Sequence, residues 1–172
     1  MSTEHLKDFP PEKLLGMLED FAKNWLAHDG LWFQAVERHA DIETAIKLDT
    51  EAWNMFTRIE AKRIMKRHDI PENGGLASLK KALGFRLYAV LNEQTITEET
   101  PDSFVFKMIR CRVQTARERK NMEPFPCKSV GIVEYREFAR TIDPRIETEC
   151  IACPPDPGER DFYCGWKFTL EK

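Results

Sequence analysis

Residues 127–164, CKSVGIVEYREFARTIDPRIETECIACPPDPGERDFYC, decide how this chain is read, because they hold four of its five cysteines. Cys127 stands alone, Cys150 and Cys153 form a C-x-x-C pair, and Cys164 follows. Four thiols so placed in a 172-residue chain point to a tetrahedral metal site. A borderline-soft divalent ion takes four thiolate or imidazole donors, and a C-x-x-C supplies two of them from one tight turn. Pro154, Pro155, Pro157 and Gly158 turn the chain back after the pair, so that Cys164 can return beside it. Upstream, Pro124 and Pro126 precede Cys127, and Val130, Val133, Phe138 and Ile142 recur at roughly helical spacing. That pattern puts Cys127 near a helix N-terminus, where the positive end of the dipole favours the thiolate.

Other readings use the same residues. A redox C-x-x-C needs its first cysteine at the start of a helix, and Pro154-Pro155 directly after Cys153 oppose one. Two disulfides would need an oxidising compartment, and the N-terminus carries no signal-peptide pattern. Buried free thiols are the plain alternative. On the metal reading the site is Cys127, Cys150, Cys153 and Cys164, and the ion is zinc in a structural role, since four thiolates leave no open position for water. An iron–sulfur cluster is the alternative on the same four residues.

Working outward, the composition fits one domain over residues 1–172, with 42% hydrophobic residues and a net charge of -3. Such a charge commits the chain neither to nucleic acid nor to anionic lipid, and the short run Arg117–Lys120 is interrupted by Glu118. No apolar run approaches the roughly 20 residues a membrane span requires. The expectation is a cytoplasmic protein without membrane or nucleic-acid partners.

From Pro11, the residues Leu14, Leu15, Leu18, Phe21, Ala22, Trp25 and Leu26 predict an amphipathic helix that Asp29-Gly30 ends. A second helix over Leu31–Ala40 is apolar around much of its circumference, which fits core packing or a subunit contact. Asp41 can cap a third, running to about His68, with Ala45, Leu48, Ala52, Met55, Phe56 and Ile59 as its stripe. Ile42, Ile46 and Trp53 widen that stripe. A fourth helix is read over Leu76–Leu91, after Pro71 and Gly74-Gly75. Beyond Asn92 the period changes to two: Gln94–Glu99 and Ser103–Val113 form a hairpin around Pro101-Asp102. Further strands run over Arg145–Ile151 and Phe162–Leu170, the last with Phe162, Cys164, Trp166, Phe168 and Leu170 pointing inward. The fold class is therefore α+β: a helical part, 1–92, then a sheet part, 93–172, in which a four-stranded antiparallel sheet carries one further packed helix.

The cysteine pattern from Cys127 to Phe168 resembles the signature of the 4-vinyl reductase domain superfamily, found also in the sensor domains of phenol-responsive activators. There a structural zinc is held by a cysteine at a helix start, a Glu-x-x-Cys at a strand end and a cysteine in the next strand. Cys127, the Cys150 and Cys153 pair, and Cys164 match those positions, with Cys150 in place of the usual glutamate and a longer loop before Cys164. The chain as a whole, with WFQAVE at 32–37 and YCGWKF at 163–168, also resembles a "cytosolic protein" family near the L-2-amino-thiazoline-4-carboxylate hydrolase-like proteins. The first resemblance implies a small-molecule cavity between sheet and helices, with Trp32, Trp53, Phe56, Tyr88, Phe104 and Phe106 as candidates for its lining. The occupant would be a small apolar or aromatic molecule, and the protein a sensor or carrier, as a homodimer. The second implies a hydrolase acting on a thiazoline or cyclic amide-like substrate, for which His28, Glu37, His39 and the spare thiol of Cys111 are the available groups. A cavity holding titratable side chains favours the enzyme, and a wholly apolar one favours the binder.

Overall fold

The computed structural model describes residues 3–172. Pro10 and Pro11 open α1, Pro11–His39, and Asp41 opens α2, Ile42–His68, where its Oδ1 accepts a 2.6 Å hydrogen bond from the Thr44 N–H. Asp69 ends α2 in the left-handed region at φ 50°. Two short helices follow, α3 over Gly75–Leu83 and α4 over Leu87–Leu91. The hairpin strands are β1, Glu93–Thr97, and β2, Ser103–Arg110; then come α5, Arg112–Glu118, and α6, Lys128–Ile142. Strands β3, Ile146–Ala152, and β4, Cys164–Leu170, complete an antiparallel sheet of order β1-β2-β4-β3. The fold is α+β, helices first.

The core lies where α6 meets the sheet. Phe104, Phe106 and Met108 from β2 and Trp166 and Phe168 from β4 share the inner face, packed on Tyr135, Phe138, Ala139 and Ile142 of α6. α3 adds Leu79, Ala82 and Leu83, and α2 closes over α6 through Trp53, Thr57, Ala61 and Ile64. α1 lies outermost, against α2 and α4.

Several expectations change at this level. No break occurs at Asp29-Gly30: α1 is one 29-residue helix, because a single glycine costs a helix only about 1 kcal/mol and packing of α1 against α2 and α4 outweighs it. The expected fourth helix is instead two, parted at Gly84–Arg86, where Arg86 turns its side chain into the core. Much of the stripe assigned to α2 faces outward: Leu48, Ala52, Met55 and Ile59 are exposed, while Ala45 and Trp53 of the expected set lie on the buried face with Thr57, Glu60, Ala61 and Ile64. Polar Thr57 and Glu60 in that buried face disguised it. β2 stops at Arg110 rather than Val113, and α5 is a second packed helix that the sequence did not announce, since its buried residues are Gln114 and Arg117. Phe162 lies on the outer face, where its ring stacks under Lys107 and sits 3.1 Å from where a side chain on Gly165 would begin.

Candidate functional site

The four cysteines arrive from three directions. Cys127 is the N-cap of α6, Cys150 lies in β3, Cys153 follows that strand and Cys164 begins β4. In a regular strand residues three apart face opposite ways, so Cys150 and Cys153 would diverge. A bulge between Cys150 and Ala152 changes that parity: Cys150 pairs with inward Trp166, Ala152 with Gly165 on the outer face, and Cys153 returns inward.

Cys153 is the hub. Its Sγ lies 3.5 Å from Cys127 Sγ, close to the edge of about 3.8 Å for a tetrahedron with 2.3 Å metal–sulfur bonds. Thiol contacts with Cys127, Cys150 and Cys164 raise the Cys153 pKa far above its ordinary value, and the contacts with Cys153 lower those of Cys127 and Cys150. The lowering at Cys127 therefore comes first from a neighbouring thiol. All five cysteines are free thiols. Among the described residues no group of three or more His, Cys, Asp or Glu side chains is placed to hold a metal ion. The thiols nevertheless converge on one sulfur, and that donor set is the kind a zinc ion takes.

Surrounding groups hold this cluster. The Cys153 N–H donates to Asp156 Oδ2 at 3.1 Å, and Asp156 is paired with the Lys128 Nζ at 2.8 Å. The Trp166 indole N–H donates to Cys164 Sγ at 3.4 Å. Gln114 accepts from the Phe125 N–H at 2.9 Å, donates to the Phe125 carbonyl at 2.8 Å, and reaches Cys127 Sγ at 3.6 Å. Arg117 ties α5 to α1 through Glu37 at 3.3 Å.

Beside the cluster lies a cavity of about 380 Å³, of the size that accepts a small organic molecule. Cys127, Cys153 and Cys164 form part of its wall with Val130, Gly131 and Trp166, and Leu26, Gly30 and Phe33 of α1 and Phe125 also line it. Gly131 is required there, since a Cβ would lie 2.7 Å from Trp166 Cζ2. Asp29, Asp49, Trp53, Tyr88, Glu134 and Tyr135 also line it.

Of the aromatic residues expected at a cavity, Trp53 and Tyr88 line this one, stacked with centroids 5.8 Å apart. Phe56 packs on Trp25, Phe104 and Phe106 are inner-face core, and Trp32 is 66% exposed on α1; none of these four lines the cavity. Of the candidate hydrolytic groups, Cys111 lines it, but burial pushes its thiol up to about 12. His28 and His39 are exposed, and Glu37 is spent on Arg117.

The residues that sequence reasoning missed are charged. Arg86, 2% exposed, holds Glu60 through Nε at 2.9 Å and Glu134 through Nη2 at 2.7 Å, with Phe138, Tyr135, Tyr88 and Trp53 around its guanidinium. Burial opposes the Arg86 charge, but Glu60 and Glu134 outweigh it and the arginine stays protonated. One guanidinium cannot fully serve two carboxylates, so Glu134 gives way: burial pushes it up to about 7 against Arg86. Burial, then Asp29 and Glu134, likewise push Asp49 up to about 7, and burial raises Asp29. The available signal was a charged residue in step with an apolar stripe, as Glu134 is with Val130 and Phe138.

The class these features define is an α+β domain whose helices and sheet line a cavity with both thiols and carboxyls in its wall. The chain belongs to the family of unknown function DUF6125, which it matches over residues 7–170. No protein of curated function matches the sequence. Among the described residues no helix is long and apolar enough to cross a membrane.

Proposed function

We propose that this chain is a cytoplasmic small-molecule-binding domain, a sensor or carrier, whose sheet is pinned to α6 by zinc on Cys127, Cys150, Cys153 and Cys164. The observation that carries this reading is the 380 Å³ cavity between α1, α6 and the sheet. The contact of three thiols, Cys127, Cys150 and Cys164, with Cys153 supports the metal, and the resemblance of the cysteine pattern to 4-vinyl reductase-like domains supports both halves. When bound, zinc supplies a fixed staple between α6, β3 and β4; Gln114, Lys128 and Asp156 hold its ligands in place. Homodimerisation is supported by the exposed Leu15, Leu18, Phe21, Leu48, Met55 and Ile59 of α1 and α2. The test is elemental analysis of the purified chain followed by thermal-shift screening of small aromatic compounds. About one zinc per chain and a saturable rise in melting temperature are expected; absence of both refutes the reading.

One observation favours the second reading, a hydrolase acting on a thiazoline or cyclic amide-like substrate. The cavity is not wholly apolar, and Asp49, held near 7, has the proton affinity of a general base. Turnover of such a substrate, abolished by Asp49→Asn with binding retained, is the result expected on that reading.

A further inference from the structure

We propose that the cavity's occupant is an organic cation, a protonated amine or amidine on an apolar body, with its charged end set between Asp29 and Asp49 beside Trp53 and Tyr88. This rests on the reading above that the cavity binds a small molecule, and it names the class of that molecule.

The first argument is charge. Asp29, Asp49 and Glu134 line the cavity, with Glu60 near Glu134, and Arg86, which is not in the wall, is committed to Glu60 and Glu134. The wall's own cations are otherwise engaged or exposed: Lys23 is turned to Glu19 at 3.2 Å, Arg117 is bound to Glu37 and to the Glu123 carbonyl, Lys120 reaches Gln34 at 3.4 Å, and Arg112 is exposed. His28, near Asp29, is exposed and outside the wall, and Tyr88 and Tyr135 carry no positive charge.

The second argument is that the two carboxyls lack a counter-charge. Asp29 and Asp49 both line the cavity, and among the described residues neither forms a salt bridge. An ammonium group brings three donors and a full charge.

The third is the company the carboxyls keep. Trp53 and Tyr88 present stacked rings to the same cavity, and aromatic faces attract cations once water is excluded. The same two rings already flank the Arg86 guanidinium, with centroids at 5.9 and 5.5 Å. The rest of the wall, Leu26, Phe33, Phe125, Val130 and Trp166, suits an apolar body. The protons that Asp49 and Glu134 hold near pH 7 are what an arriving cation would displace.

The experiment uses the full chain and three probes of one shape: 2-phenylethylammonium, 2-phenylethanol and 3-phenylpropanoate. Affinities are measured calorimetrically at pH 7.5 in two buffers of different ionisation enthalpy. The ammonium should bind at least about tenfold more tightly than the alcohol, the propanoate should bind most weakly, and ammonium binding should release protons. Asp49→Asn should erase most of the preference for the ammonium over the alcohol; Asp29→Asn serves if the first variant does not fold. If neither folds, rank order and proton release in the unmodified chain decide. Alcohol or propanoate binding as well as the ammonium, or binding without proton release, overturns the cation while leaving the pocket standing. Binding of none of the three overturns the pocket reading and this inference together.

Discussion

Asp49→Asn should make the protein more stable at alkaline pH. Asp49 lies against the cavity with its pKa lifted from 3.8 to about 7, by burial first and then by Asp29 and Glu134. In the unfolded chain the carboxyl ionises near its ordinary value, so between roughly pH 4 and 7 the folded state binds the extra proton. The stability this confers is fully present below pH 3.8 and is lost as pH rises through about 7. Three pH units at about 1.4 kcal/mol each set an upper bound of about 4 kcal/mol on the penalty carried at pH 8.5. Asparagine escapes that penalty but gives up the interaction with the Trp53 indole, worth about 1 kcal/mol. Part of the repulsion also belongs to Asp29 and Glu134, which relax when Asp49 is neutral. The net expectation is a gain of about 1–3 kcal/mol at pH 8.5, read as a rise in melting temperature of about 3–10 °C, and little or no gain at pH 5. Thermal and urea unfolding of both proteins from pH 5 to 9 measures it. An equally steep fall of stability with pH in the variant, with no gain at pH 8.5, would refute the account of the carboxyl cluster.

Other perturbations probe other parts of the molecule. Gly131→Ala puts a methyl 2.7 Å from Trp166 Cζ2, and that ring is 1% exposed and packed on Tyr135, so the variant should lose about 1–3 kcal/mol in chemical denaturation; an unchanged midpoint would mean that the α6–β4 contact is looser than it stands. Cys153→Ser should abolish metal binding and lower the melting temperature of the zinc-loaded protein, whereas Cys111→Ser should keep about one zinc per chain by mass spectrometry; equal metal content in both would sink the four-thiol centre. Phe21→Glu combined with Met55→Glu changes only exposed side chains, so it should halve the mass seen by light scattering without changing the circular dichroism; a monomeric parent protein would refute the dimer face.

The amino-acid sequence by itself determined the fold class, helices first and an antiparallel sheet after, and many of the element boundaries. Asp41 capping α2, prolines ahead of α1, the hairpin at Pro101-Asp102 and the alternation through Trp166 and Phe168 are local signals, and each acts through the chain's own backbone. The pairing of Cys127 with the C-x-x-C was legible because cysteine spacing carries a geometric demand of its own. Tertiary structure decided which face of each helix is inside. The buried side of α2 mixes Trp53, Ala61 and Ile64 with Thr57 and Glu60, whose partners come from residues far along the chain: Thr57 bonds the Glu134 carbonyl at 3.1 Å and Glu60 bonds Arg86. The same holds for α5, whose buried Gln114 and Arg117 are satisfied only by Phe125, Glu123 and Glu37 once the loop and α1 are in place. A buried polar residue has no periodic signature, since what makes it tolerable is a partner that only the folded chain brings within reach.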